Sequence, residues 1–254
     1  MKLSIIIVSY NVSHYVRQCI HSIINSNIKY QYEIIVVDNF SFDNTIDILK
    51  RDFSYLDNFK LIKNNTNYGF SKAINQGIKK SNGDYVCILN PDTIVNNNSI
   101  NILLDYLLKN KNVGCIGPKI LNPDGSFQLS SKRKFPGLFN SFFKLFGMSY
   151  FFPKSKIINS YNMYSFDENR IHQVDCISGA FMLIPNIVIE NVGLFDESFF
   201  MHAEDIDYCF RIKELGYDVI YNPNSKIIHY KGKSKLKAPF NLVKIFYDSI
   251  RTFF

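Results

Sequence analysis

Leu3-Ser4-Ile5-Ile6-Ile7-Val8-Ser9-Tyr10-Asn11 opens the chain, and its reading decides the fold. Leu3 to Val8 is an almost unbroken apolar, β-branched run, the composition of a strand buried on both faces of a parallel sheet. Periodicity then changes: Val12, Tyr15, Val16, Cys19, Ile20, Ile23 and Ile24 recur at helical spacing, with Ser13 placed to act as N-cap. The same alternation continues outward. Glu33 to Val37 reads as a strand, Asp43 to Phe53 as a helix behind the Ser41–Asp43 polar turn, and Lys60 to Lys63 as a short strand. Ser71 to Lys80 (helix), Tyr85 to Leu89 (strand) and Ile100 to Leu108 (helix) follow. A β-α-β-α-β-α-β order predicts an α/β domain whose mostly parallel central sheet is flanked by helices.

In such a sheet, ligands bind outside the carboxyl ends of the strands. Here the four predicted strand ends carry Ser9-Tyr10-Asn11, Asp38-Asn39, Asn64-Asn65-Thr66-Asn67 and Asn90-Pro91-Asp92. A buried parallel core gives no reason for that concentration of polar groups; a nucleotide pocket does. From Val113 the pattern shifts to strand-like runs (Val113 to Ile116, Ala180 to Ile184, Asp218 to Tyr221) among turns such as Pro123-Asp124-Gly125. Ser126 to Gln173 has weak periodicity, and a stretch of that length without regular structure is usually functional. With no internal repeat or low-complexity linker, residues 1–254 are expected to form one domain.

Bulk properties narrow the class. A 46% hydrophobic fraction supports a real core, and a formal charge of +7 with a pI near 9.0 favours anionic partners. The basic residues are dispersed apart from Lys132-Arg133-Lys134, and no arginine-rich tail or zinc-finger spacing points to nucleic acid. The five cysteines are odd in number and set in apolar runs without a CxxC, as expected for buried free thiols in a reducing cytoplasm. The chain opens directly into a strand without a signal-peptide pattern, and no apolar run reaches the ~20 residues of a membrane span, so a soluble or peripheral protein is expected. Neither GxGxxG nor GxxxxGK[ST] occurs, which weighs against ordinary NAD binding and P-loop phosphoryl transfer.

Taken in order, the remaining motifs resemble the family-2 glycosyltransferases of GT-A fold, in particular their rhamnosyltransferase-like branch. The resemblance runs through Ile6 to Asn11, Val36-Val37-Asp38-Asn39, Asn67-Tyr68-Gly69-Phe70 and Leu89-Asn90-Pro91-Asp92-Thr93. It continues with Val174 to Ala180, Gly193-Leu194-Phe195-Asp196-Glu197, Glu204-Asp205-Ile206-Asp207 and His229-Tyr230-Lys231-Gly232-Lys233-Ser234. It implies a nucleotide-sugar-binding half (1–112) and an acceptor-binding half (113–254), with 126–173 a mobile or interfacial segment.

On the donor side, the resemblance gives Asp38 a hydrogen bond from the N–H of uracil or thymine, assisted by Ser9 and Asn11. Capping of the following turn is the plainer alternative for Asp38. Asn67, Gly69 and Lys72 stand where a loop enters a helix, a place suited to anions; a simple Asn-Xaa-Gly turn explains them equally well. Asn90-Pro91-Asp92 occupies the place of the family's Asp-Xaa-Asp motif. Asp92 can offer one carboxylate to Mg²⁺ or Mn²⁺, while neutral Asn90 makes the site electrostatically weaker than a paired motif. His229 is implied to approach the diphosphate or the metal.

On the acceptor side, the resemblance makes Asp205 the general base, with Glu204 an acceptor contact and Asp207 a helix anchor. Acids at a helix start also suit the helix dipole, but three in four residues exceed what capping needs. Asp175 and Gly179 resemble the acceptor-side segment, for which a loop entering a strand is the competing reading.

Lys132 to Lys156 interleaves cations with Phe135, Phe139, Phe142, Phe143, Phe146, Phe151 and Phe152. That pattern suits contact with an anionic membrane, or the core of an acceptor subdomain. The same question attaches to Phe240 to Phe254. The implied reaction is inverting transfer from dTDP-rhamnose, or secondly a UDP-sugar, to a lipid-linked oligosaccharide or polysaccharide at the inner face of the cytoplasmic membrane. Two other classes compete with this reading. A sugar-nucleotidyltransferase would normally show a Gly-rich basic signature near its start and would release pyrophosphate. A non-catalytic nucleotide-sugar-binding module would bind without forming product.

Overall fold

The structure, a computed structural model, describes residues 1–135, 163 and 166–232. The expected alternation is present as β1 (Lys2–Ser9), α1 (Ser13–Ile24), β2 (Gln31–Asp38), α2 (Thr45–Phe53), β3 (Phe59–Lys63), α3 (Phe70–Lys80) and β4 (Tyr85–Leu89). A three-residue strand, β5 (Thr93–Val95), precedes α4 (Ser99–Lys109). The second half holds β6 (Val113–Leu121), the two-residue strands β7 (Lys132–Arg133), β8 (His172–Gln173) and β9 (Cys176–Ile177), and β10 (Phe181–Pro185). It closes with α5 (Asn186–Val192), α6 (Glu204–Glu214) and the long β11 (Asp218–His229). Ser13 is the first residue of α1 and not its cap, and α2 starts at Thr45 because Asp43 Oδ1 accepts the Thr45 N–H at 3.0 Å.

The main sheet has the order β3-β2-β1-β4-β10-β6-β11-β5, with β8 on β11; β7 and β9 form a separate pair. β3, β2, β1 and β4 are parallel, in register Ser9↔Asp38 and Ile7↔Leu89. β10 runs antiparallel to both β4 and β6, and β5 and β8 run antiparallel to β11. The sheet is thus mixed. Phe181 pairs with Leu89, so β10 enters at the carboxyl edge of β4 and sets Ser178-Gly179-Ala180 beside Asn90.

Both faces are covered, which explains the apolar opening run. Leu3, Ile5 and Ile7 join the core packed by α1, α2 and α4, whereas Ile6 and Val8 join the opposite core with α3, α5 and α6. The five cysteines are free and buried, as expected. The thiols of Cys176 and Cys209 are pushed well up by burial. Among the described residues, no helix is long and apolar enough to cross a membrane. Phe139 to Phe152, Lys154, Lys156 and Phe240 to Phe254 lie outside the described residues.

Candidate active site

The donor-side residues gather where β1 and β2 end. Asp38 is fully buried, its Oδ1 accepting from Ser9 Oγ at 3.1 Å and its Oδ2 from the Ser41 N–H at 2.9 Å. The Ser41 bond is the cap on the following turn that the sequence also allows. Asn11 sits in the left-handed region (φ 53°) and is tied in place by its N–H to Ser41 Oγ (2.8 Å) and by its Oδ1 accepting from the Phe42 N–H (2.9 Å). Its Nδ2 is buried with no hydrogen-bond partner. An unspent buried donor costs roughly 1–3 kcal/mol, which a ligand acceptor atom would recover. Ser41, whose backbone and hydroxyl hold both residues, was visible in the sequence only as part of a polar turn.

The loop into α3 is organised by Asn39. Its Nδ2 donates to Asn67 Oδ1 (2.8 Å) and the Gly69 carbonyl (3.0 Å), and its Oδ1 accepts from Asn64 Nδ2 and the Tyr68 N–H. Asn67 Oδ1 also accepts the Gly69 N–H at 3.0 Å, so this oxygen is spent on the turn. Gly69 has φ 84°, and a Cβ there would lie 2.7 Å from the Phe200 carbonyl oxygen. Its freedom therefore serves a close crossing with the 196–203 loop, a partner the sequence did not reveal. Lys72 lies over the Tyr68 ring (4.7 Å) and 4.0 Å from Glu197.

At the end of β4, Asp92 is buried and its Oδ1 lies 3.2 Å from His229 Nε2. β11 pairs with β5 in the register His229↔Thr93, and the Tyr230 N–H donates to the Asp92 carbonyl (2.9 Å), which fixes the two residues together. On the far side of the imidazole, Nδ1 lies 2.9 Å from Gln128 Oε1, while the Gln128 amide donates to Asn122. Gln128 thus presents an acceptor, Nδ1 carries the hydrogen, and the Nε2 lone pair faces a carboxylate oxygen. That arrangement calls for a proton or a cation between them, and an outer partner fixing the imidazole tautomer is typical of metal-ligating histidines. The donor set therefore fits a divalent ion completed by substrate phosphates. No cluster of three or more His, Cys, Asp or Glu is found among the described residues, so the protein alone supplies a sparse site. The Asn90 side chain makes no hydrogen bond to a described residue; its N–H donates to the Ala180 carbonyl at 3.0 Å.

That backbone bond joins the Asp92 corner to the acid cluster, because Gly179, one residue before Ala180, donates its N–H to Asp205 Oδ2 at 2.8 Å. Asp205 and Glu204 open α6 behind His202 and Ala203, both left-handed (φ 74° and 67°), a costly pair of conformations of the kind held at functional sites. Glu204 is buried with Oε2 unpartnered, and burial, with Asp205 adding to it, pushes its carboxyl up to about 8. Asp207 anchors the helix as expected, pairing with Arg211 at 2.8 Å. Asp175 is engaged by Lys213 (2.5 Å) and the Phe135 N–H (3.2 Å), tying the chain after β7 to α6.

Of the basic cluster, only Lys134 is exposed. Lys132 is buried, with Nζ donating to the Phe166 carbonyl (2.8 Å) and lying over the Phe166 and Tyr221 rings. Arg133 reaches Asp205, Nη2 to Oδ2 at 2.5 Å. In the sequence Arg133 stands out only as part of the basic cluster and of the cation–aromatic stretch that follows it.

Residues 4–179 match the family description "Glycosyl transferase family 2". The chain belongs to this family. Its fold is GT-A: it resembles GalNAc-T7 solved with UDP, GalNAc and Mn²⁺ (TM-score 0.68, 16% identity, 90% of this chain and 44% of that one). It also resembles the mannosyltransferase PcManGT of Pyrobaculum calidifontis with GDP-Man and Mn²⁺ (TM-score 0.65, 17% identity, 91% and 57%). Among curated relatives, rhamnosyltransferase WbbL of Escherichia coli is 28% identical over 233 residues, 89% of this chain and 82% of that protein. The N-acetylglucosaminyl-diphospho-decaprenol L-rhamnosyltransferase of Mycobacterium tuberculosis is 27% identical over 217 residues, 81% and 69%. The chain thus spans about half the length of these solved structures and more of its curated relatives. As a member of family 2, it is a glycosyltransferase.

Proposed function

We propose that this glycosyltransferase moves rhamnose or a related sugar, with inversion, from a pyrimidine-nucleotide donor to a lipid-linked or polysaccharide acceptor in bacterial surface-glycan synthesis. dTDP-rhamnose is the first choice of donor and a UDP-sugar the second. The observation that carries the reading is the short covalent and hydrogen-bonded path from the Asp92–His229 pair, through Asn90 and Ala180, to Gly179 and Asp205. On this reading it joins a diphosphate-binding corner to an acceptor-side carboxylate along one edge of the sheet. Two relatives carry rhamnosyltransferase names, and one of these names specifies a lipid diphosphate.

Asp38 accepts the base N–H, and Asn11 Nδ2 donates to a neighbouring base carbonyl. Asp92 and His229 would hold Mg²⁺ or Mn²⁺, which would offset charge on the leaving nucleoside diphosphate. Asp205 takes the proton of the acceptor hydroxyl as its oxygen attacks the anomeric carbon, and the bond to the diphosphate breaks on the opposite face. Glu204, held neutral at physiological pH, donates to the acceptor. The reaction is placed at the inner face of the cytoplasmic membrane. Asp205→Asn is expected to lower transfer by at least ~100-fold while donor binding, read by calorimetry, stays within twofold. Near-normal turnover in this variant would remove Asp205 from the role of base.

A further inference from the structure

A general base with an arginine against it looks compromised, since the guanidinium holds the lone pairs that should accept a proton. The contact here is of a particular kind. Arg133 does not use its two-nitrogen fork on the carboxylate. Nη2 alone meets Asp205 Oδ2 (2.5 Å), and the same nitrogen donates to the Ile177 carbonyl (3.1 Å) and Cys176 Sγ (3.3 Å). The Gly179 N–H lands on Oδ2 as well. Both donors are therefore spent on one oxygen, and Asp205 Oδ1 takes no hydrogen bond from a described residue. A bidentate pair would have blocked the base; this end-on pair leaves one oxygen to work.

The arrangement is built into the backbone. β7 pairs with β9 in the register Arg133↔Cys176, so the strand that pairs with the arginine's own carries its two other acceptors. Gly179 follows two residues after β9, and a Cβ there would come to 3.4 Å from Asp205 Oδ2. The positive charge also offsets the cost of burying Asp205 next to the acid Glu204.

From this geometry we infer that Arg133 is a positioning residue: with the Gly179 N–H it pins Oδ2 of Asp205 and turns Oδ1 toward the acceptor hydroxyl. The inference rests on Asp205 being the base. Arg133→Met removes the charge and the donors while keeping most of the stem. A carboxylate free to rotate loses its attack alignment, and misplacement of a reacting group by about 1 Å costs on the order of 100-fold. The expected result is a fall of that order in kcat, with the donor KM and the calorimetric donor Kd within twofold of wild type. Adding guanidinium, which fits beyond the methionine stem, should restore at least tenfold of the loss, and Arg133→Lys should fall between the two. Turnover is expressed per donor-binding site, so a partly unfolded preparation does not imitate the effect; if Arg133→Met fails to bind donor, Arg133→Lys with its donor Kd carries the test. A merely structural Arg133 would lower the melting temperature without guanidinium rescue of kcat, and that outcome overturns the inference, as does wild-type kcat in Arg133→Met. If Asp205→Asn retains turnover, the base assignment fails first; if it is inactive while Arg133→Met is fully active, only the positioning role fails.

Discussion

Glu204 is the residue whose surroundings conflict most with its chemistry. It is buried at the start of α6, one position from Asp205, with one carboxyl oxygen unpartnered. Burial is the main cause of its upward shift from 4.5 to about 8, and the neighbouring Asp205 charge adds to it. The protonated form is the one the fold accepts. An acid whose folded value lies above its unfolded value is held without penalty below about 4.5, and the fold loses stability as pH rises toward about 8. The loss can reach ~1.4 kcal/mol per pH unit within that window. Glu204→Gln cannot ionise, so its urea midpoint should overtake that of wild type as pH is raised from 5 to 9. Parallel pH profiles for the two proteins would show that Glu204 is not the group responsible. The same substitution keeps a hydrogen-bond donor at the position, so a role in contacting the acceptor as a neutral acid predicts that much of the turnover survives, in contrast to Asp205→Asn.

Among the elements, the joint between α3 and the 196–203 loop shows how local sequence and tertiary packing divide the work. The Phe70 N–H donates to the Phe200 carbonyl (2.6 Å), and Gly69 leaves room for that carbonyl in a conformation open almost only to glycine. Gly69→Ala would add a conformational cost of about 1–3 kcal/mol and force the two backbones apart. Since the 196–203 loop leads directly into Glu204 and Asp205, the substitution should lower kcat as well as the melting temperature. A variant that loses stability but keeps wild-type kcat would show that the joint supports the fold alone. Gly69 was legible in the sequence as a turn glycine, but its reason was not, because Phe200 lies far along the chain. The same division holds across the site. Asp38, Asn11 and Asp92 were legible as polar groups because each lies at or just beyond the end of an apolar strand, and the parallel register brings such ends to one edge. Arg133 could not be found, for its place depends on a two-residue pairing, β7 with β9, too short to leave any periodicity. The reversal of β10 was hidden likewise, since an apolar strand buried on both faces carries no mark of its direction.

At the scale of the whole molecule, the sheet is covered on both faces, and the groups proposed to hold the donor lie along one edge of it. Donor binding at that edge should couple to global stability, because the proposed contacts come from separate strands and loops: Asp38 from β2, Asn11 from the loop after β1, Asp92 from beyond β4 and His229 from the end of β11. Unfolding disperses all four, so a nucleotide that uses them stabilises only the folded chain. At a ligand concentration 100 times Kd this amounts to about 2.7 kcal/mol. For a protein of this size each kcal/mol moves the melting temperature by roughly 2–4 °C, which gives a shift of about 5–11 °C. The pocket offers an acceptor, Asp38, beside an unspent donor, Asn11 Nδ2, and this pairing matches a base edge with an N–H next to a carbonyl. Uracil and thymine present that edge at N3; neutral cytosine has no N–H there. The expected order in a thermal-shift series is therefore dTDP and UDP with Mn²⁺ well above CDP with Mn²⁺. Omitting the metal should cost most of the shift, because Asp92 would then face the diphosphate without an intervening charge. Asn11→Ala should reduce the dTDP and UDP shifts while leaving the dependence on Mn²⁺ intact, since the base-reading and phosphate-holding groups lie on different strands. Equal shifts for UDP and CDP would remove Asp38 and Asn11 from base recognition, and a dTDP shift indifferent to Mn²⁺ would leave Asp92 and His229 as an ion pair that stabilises the fold.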